Sequence, residues 1–180
     1  FSKMFFVISF AMGIANNLDI FLVTQRLGLD EKYYQFFSGI AGIGVIVGGG
    51  IYLLVSKYLN NIKIVYLALG VFTLTVFFEG YSQIPALTMI LQFIDNILGG
   101  LLSGYIMAAI TKITDQEYLG KINGLTSTLM YLGIMVGTIV SGIIMKYYFI
   151  VVAFSIASIA FLICTIMIYK GSKDELITDV

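Results

Sequence analysis

The sequence predicts an all-α integral membrane protein of six transmembrane helices, arranged as two inverted three-helix repeats. Three observations carry that reading. Apolar runs of about 20 residues recur along the chain, the length a helix needs to cross a hydrocarbon core of about 30 Å. Hydrophobic residues make up 59% of the chain and charged residues 11%, where a soluble domain carries about 25% charge. Helices of three distinct characters also follow one another in the same order twice. An outer-membrane barrel would show alternating segments of about 10 residues instead.

The first span, residues 4–23, is clean in its first half, and Asn16, Asn17 and Asp19 cluster toward its far end. A connection of mixed sign, with Arg26, Asp30, Glu31 and Lys32, leads to the second span, 36–55. Gly39, Gly42, Gly44, Gly48, Gly49 and Gly50 fill its middle. In water they would weaken a helix; in a membrane they let another backbone approach closely. The polar turn SKYLNNIK precedes the third span, 64–78, which holds Gly70 and no charge. Glu79 borders the next turn, EGYSQIP, and is read as solvated. Pro85 stands just ahead of a helix, where proline is tolerated.

The fourth span, 87–110, states a conflict the others must resolve. At 100° per residue, Gln92, Asp95, Asn96, Gly99, Gly100 and Ser103 fall within an arc of about 140°, with Leu, Ile, Met and Phe opposite. A carboxylate in hydrocarbon costs about 2.5–3.5 kcal/mol on the gentler insertion scale, so that stripe must face protein or water. The fifth span, 125–145, carries Gly133, Gly137 and Ser141 in a small-xxx-small row. The sixth, 149–168, has neither glycine nor charge, and its Cys164 is a small apolar side chain. Residues 1–171 thus form one six-helix unit and 172–180 a soluble tail. Lys3, Lys57, Lys63, Lys112, Lys121, Lys170 and Lys173 fall on one side of the membrane, and Arg26, Lys32 and Lys146 on the other. That asymmetry puts both ends in the cytoplasm of a multi-pass cell-membrane protein.

Helices one and four carry acids and amides, two and five the small-residue rows, and three and six are nearly all apolar. Three spans per unit give the two units opposite topology, and inverted three-plus-three repeats mark secondary transporters. Other classes fit less well. A formal charge of zero without a basic cluster leaves no nucleic-acid footprint. One cysteine excludes an intrachain disulfide. The absence of histidine removes the commonest metal ligand and general base, so no metal, cofactor or catalytic constellation is expected. The rival reading is a structural or channel-forming homo-oligomer, which should display a filter of repeated carbonyl motifs or charged rings; none is visible. The chain opens at Phe1 directly in an apolar helix and is read as a cut into a longer protein.

Two stretches resemble a known family. Tyr118-Leu119-Gly120-Lys121-Ile122-Asn123-Gly124-Leu125, read as a cytoplasmic loop, is similar to the Gly-Arg-Val-x-Gly-Leu opening of helix eleven in major facilitator superfamily transporters, with lysine for arginine. GIAGIGVIVGGG resembles their helix eight. Nearly the whole chain resembles helices seven to twelve, the C-terminal half of a 12-helix fold, and is nearest the drug-efflux, macrolide-efflux-like branch. The family's Gly-x-x-x-Asp-Arg-x-Gly-Arg-Arg loop is missing; Ser56-Lys57-Tyr58-Leu59-Asn60-Asn61 stands there.

The resemblance implies that first-in-repeat helices line a cavity, third-in-repeat helices are peripheral, and middle helices meet an absent N-terminal six-helix half. Gly44, Gly48, Gly133, Gly137 and Ser141 are then expected at that interface, and a change in the sixth helix such as Ala157→Leu is expected to be tolerated. Asp95, about nine residues and ~14 Å into its helix, is either a proton- or cation-coupling acid or a structural one held by Asn96 or Gln92. Asp19, near the outer end of its helix, suits a vestibule or interfacial role ahead of coupling, and Gln92 and Asn96 stand with Asp95, Asp19, Asn16 and Asn17 as candidates for substrate or proton coupling. Asn16 and Asn17 either donate to a substrate or bridge two helices, a contact worth about 0.6 kcal/mol. The expected function is secondary transport by alternating access, as proton-coupled efflux of a small hydrophobic or drug-like molecule. The partners are the N-terminal half, lipid, the substrate and a proton or cation.

Overall fold

In hydrocarbon an unpaired backbone N–H has no water to turn to, so each long apolar run closes its hydrogen bonds within itself as a helix. The computed structural model describes residues 2–56 and 62–171. Among them lie six α-helices: α1 (Ser2–Phe21), α2 (Tyr34–Val55), α3 (Ile62–Tyr81), α4 (Pro85–Ile113), α5 (Leu119–Tyr147) and α6 (Ile150–Gly171). A π-helical turn, Leu22–Arg26, extends α1, and a 3-10 turn, Glu31–Tyr33, leads into α2. No strand occurs among the described residues. The polar turn at 57–61 and the tail from 172, with Lys57 and Lys173, lie outside them.

Several helices outrun the apolar runs that announced them. Polarity marks where a membrane would end, whereas a helix needs only its backbone bonds and continues past that level. α3 reaches Tyr81, so Glu79 is helical and 4% exposed rather than solvated in a turn. α5 starts at Leu119, where the Ile122 N–H reaches the Tyr118 carbonyl at 2.9 Å. Most of the stretch read as a cytoplasmic loop is therefore the exposed first turns of that helix.

α1 packs parallel to α5, and α2 parallel to α4. α3 runs antiparallel to α6, with Phe72 edge-on to Phe161 at 4.7 Å and Tyr66 edge-on to Tyr169 at 5.5 Å. Contacts of α1 with α6 and of α3 with α4 complete the bundle. The main core joins Ala11, Ile14 and Leu18 of α1 to Ala153, Phe154, Ala157, Phe161 and Cys164 of α6. A smaller cluster joins Val65, Ala68 and Leu69 to Leu102 and Ile168.

α3 and α6 are therefore two-faced. Ile159, Leu162, Ile163 and Ile166 of α6 are exposed while the other side of the helix is buried. Ala157 is fully buried on that inner side, which overturns the expected tolerance of leucine there. Ala157→Leu should cost about 1–3 kcal/mol through overpacking and lower the melting temperature of the purified protein. An unchanged melting curve would show that the α1–α6 contact is loose.

The small-residue rows meet partners inside this chain. A Cβ on Gly44 would lie 2.8 Å from Asn96 Cβ and 2.9 Å from the Phe93 carbonyl oxygen, both on α4. One on Gly133 would lie 2.8 Å from Ser9 Cβ and 2.9 Å from the Phe6 carbonyl oxygen, both on α1. Gly48 abuts the Ile97 carbonyl, Gly137 the Phe10 carbonyl, Gly13 the Ile134 carbonyl and Gly100 the Val45 carbonyl. Ser141 is buried on the same stripe as Gly133 and Gly137. Gly44, Gly48, Gly133, Gly137 and Ser141 are thus buried within the chain, contrary to their expected place against an absent half. A row of small residues marks a close crossing but does not say which helix crosses it.

Candidate functional site

Three acids from three helices converge. Asp95 lies a third of the way along the 29-residue α4, about 15 Å from its start by helical rise. Thr75 Oγ1, on α3, donates to Asp95 Oδ1. Glu79, one helical turn after Thr75 on the same face, brings its carboxyl against that of Asp95. On the α1 side, the Asp19 carboxyl faces the Gln92 side chain, so α1 reaches α4 here. Gln92 and Asp95 are three residues apart and share a helix face.

Local structure holds these groups in register. Thr88, fully buried, bonds through Oγ1 to Ser82 Oγ at 2.9 Å and to the Ile84 carbonyl at 3.1 Å. Those bonds close the α3–α4 turn and set Glu79 opposite Asp95. Pro85 starts α4 without a backbone N–H, in the turn where that donor has no helical acceptor. The π-helical turn carries Arg26 to the end of α3, where its guanidinium donates to the Tyr81 carbonyl at 3.0 Å. π-Turns inside helices are frequent at functional sites; this one ties the Asp19 end of α1 to the Glu79 end of α3.

Burial leaves this cluster uncompensated. Glu79, Gln92 and Asp95 are 4%, 4% and 5% exposed, while Asp19 is half-buried. The one ion pair among the described residues is Lys32–Asp30, at 3.4 Å in the α1–α2 connection. No described lysine or arginine therefore neutralises the three acids. Glu79 Oε1, Gln92 Oε1 and Asp95 Oδ2 are buried without a hydrogen-bond partner. Among the described residues no group of three His, Cys, Asp or Glu side chains is placed to hold a metal ion.

Of the residues marked by the sequence, Asp19, Gln92 and Asp95 come together here, and Asn16, Asn17 and Asn96 do not. Asn17 donates to the Gly13 carbonyl at 2.9 Å and to Thr138 Oγ1 at 2.7 Å, bridging α1 to α5. Asn96 donates to the Gln92 carbonyl at 2.8 Å and packs on Gly44. Asn16 is exposed. The polar arc of α4 therefore divides: Gln92 and Asp95 serve the cluster, Asn96 and Gly100 meet α2, and Ser103 is exposed. The sequence reading passes over Thr75 inside the third span and takes Glu79 as solvated because it ends that span at Phe78. Their spacing of four residues, which puts both on one helix face, is the available signal.

Residues 3–176 match the model of the Major Facilitator Superfamily. The chain belongs to that family. No individual curated protein matches it. Major facilitators are membrane transporters, and the helices suit that role. Phe6–Arg26, Glu31–Val55, Pro85–Lys112, Leu119–Tyr147 and Ile150–Tyr169 are each long and apolar enough to cross a membrane, and Val65–Tyr81 is a shorter apolar helix. In a major facilitator, buried acids contributed by separate helices are candidates for cargo or coupling-ion binding rather than for bond-making chemistry.

Proposed function

We propose that this major facilitator is a proton-coupled secondary transporter that exports a small hydrophobic or drug-like molecule by alternating access, with Asp95 as a coupling acid. The observation that carries this reading is a carboxyl 5% exposed between helices, in contact with a second acid and without a cationic side chain beside it. A group so placed is costly unless it is used. The efflux direction and the macrolide-efflux-like branch rest on the resemblance of the helix arrangement.

The helix pairing supports two inverted units. Exchanging α1, α2 and α3 with α4, α5 and α6 turns the α1–α5 contact into α4–α2 and the α1–α6 contact into α4–α3, and leaves α3–α6 as itself. Each middle helix also presents two glycines four residues apart, Gly44 with Gly48 and Gly133 with Gly137, to the first helix of the other unit. In this reading the unit is the C-terminal half of a 12-helix transporter. The outward faces of α2 (Ile43, Ile46, Leu53) and α5 (Met135, Ile139, Ile143), all exposed, receive the N-terminal half.

Two measurements test the reading. In inverted membrane vesicles holding the full-length protein, an imposed pH gradient should drive accumulation of members of a panel of lipophilic dyes, and a protonophore should abolish it. Accumulation indifferent to the gradient for every dye would remove proton coupling. Orientation is tested by cysteines replacing Lys121 and Lys32 in turn, since Cys164 is buried and silent. Impermeant thiol reagents should reach position 121 only from the cytoplasm and position 32 only from outside. The opposite pattern would invert the topology.

A further inference from the structure

α2 and α4 cross closely where Gly44 and Gly48 meet Asn96 and Ile97, and beyond that crossing a groove opens between them. Its volume is about 680 Å³, and its walls are almost wholly apolar. Gly49 and Tyr52 of α2 line it, with Gly104, Ala108 and Lys112 of α4. Glycine keeps the floor open: a Cβ on Gly49 would meet no neighbour within 4 Å. Gly104 lets the Tyr52 ring lie against the α4 backbone, since a Cβ there would come within 2.6 Å of that ring.

This groove faces away from the acid cluster. Gly104 is nine residues past Asp95, which at 100° per residue puts it on the opposite side of α4. Ile90 and Ala108, five helical turns apart, stand on one line, and both are exposed, Ile90 at 56%. A bare apolar line on a membrane helix outside the faces given to the N-terminal half meets lipid. Height then selects the polar end. By helical rise Gly104 stands ~29 Å from Pro85 and Lys112 ~40 Å. With a hydrocarbon core of about 30 Å inside a bilayer of about 40–45 Å, Gly104 lies in hydrocarbon and Lys112 among headgroups. Lys112 is exposed and has no ion pair among the described residues. The neighbouring Thr111 hydroxyl is engaged within the helix, donating to the Met107 carbonyl at 2.8 Å.

We infer that the α2–α4 groove holds one anionic phospholipid, with an acyl chain along Gly49, Gly104 and Ala108 and its phosphate against the Lys112 ammonium. The lysine asymmetry assigns this end to the cytoplasmic leaflet, where anionic lipids gather. A zwitterionic lipid of the same chains fills the groove equally well but carries its own cation beside the phosphate. Headgroup preference therefore comes from Lys112, and one lysine at such a surface is worth about fivefold in affinity.

The test is native mass spectrometry of the full-length protein in mild detergent, with added phosphatidylglycerol or phosphatidylcholine of identical acyl chains. The protein should retain one phosphatidylglycerol about fivefold more tightly than phosphatidylcholine. Lys112→Gln should erase that preference, while Lys121→Gln, at an exposed lysine outside the groove, keeps it. Gly49→Phe fills the groove and should weaken retention of both lipids at least tenfold with an unchanged elution profile. Equal retention of the two lipids by the native protein would overturn the site. So would a loss at Lys121→Gln matching that at Lys112→Gln, which would mean diffuse surface charge. Displacement of the lipid by inorganic phosphate, or native retention in a folded Gly49→Phe protein, would show that the groove takes no acyl chain. If the native protein retained neither lipid and Gly49→Phe broke up its elution profile, the groove would belong to the N-terminal half. The headgroup comparison and Lys112→Gln leave the groove walls untouched, so they decide the matter even where Gly49→Phe fails to fold.

Discussion

Gly137→Leu is expected to abolish the folded state of this chain, and Gly48→Leu to do the same at the second crossing. A Cβ on Gly137 would land on the Phe10 carbonyl oxygen, with Gly13 Cα and the Ile14 nitrogen each 3.0 Å away. One on Gly48 would land on the Ile97 carbonyl oxygen. Every one of these obstacles is backbone, so no side chain can turn aside and the two helices must separate. Separation unpacks Gly13 and Gly133 on one crossing, or Gly44 and Gly100 on the other, and the loss spreads along the whole interface. Overpacking commonly costs about 1–3 kcal/mol, and a rigid backbone obstacle places these changes at or above the top of that range. Gly70→Leu is the control, because nothing lies within 4 Å of a Cβ there and α3 is not among the faces assigned to the N-terminal half. The measurement is the monodisperse fraction in mild detergent together with the melting temperature. Leucine at 137 or 48 behaving like leucine at 70 would mean that these crossings are not closely packed.

Those glycines show how much of the molecule could be read from its residues. Their four-residue spacing announced two tight helix crossings, and the crossings are there. It could not name the partner helices, because any backbone can use a surface without side chains. Asp95 was legible for a different reason. A carboxyl inside a 24-residue apolar run breaks a strong expectation, and its cost in hydrocarbon forces a protein environment. Glu79 sits at the margin of its run, where an acid in a helix end and an acid in a wet loop look alike in sequence. The turn bonds of Thr88 and Ser82 and the antiparallel approach of α3 to α4 are what carry it inward. Asn17 shows the reverse: its polarity suggested a ligand, while its bond to Thr138 makes it a bridge between helices. Pairings across the bundle are settled by packing, and no single helix holds that information.

Asp95→Asn is expected to reduce gradient-driven accumulation at least tenfold, to the level seen without a gradient, while the protein stays folded. The amide matches the carboxyl in size. Its Oδ1 can still accept from Thr75 Oγ1, and its Nδ2 replaces Asp95 Oδ2, a buried atom with no partner. That nitrogen faces the Glu79 carboxyl, whose Oε1 also has no donor. The variant therefore satisfies a polar atom that the native site leaves bare, and its melting temperature should equal or exceed that of the native protein. What it loses is the ability to take up and release a proton within a pair of neighbouring carboxyls. Downhill exchange of substrate, which needs the helices to move but no proton to be carried, should survive. A purely structural acid predicts the other pattern, in which the amide's hydrogen bonds suffice and transport continues to follow the gradient. Substrate accumulation by the full-length protein, native and Asp95→Asn, with and without an imposed pH gradient, separates the two. A variant that responds to the gradient like the native protein would leave Asp95 a structural group and move coupling to Glu79 or beyond this chain.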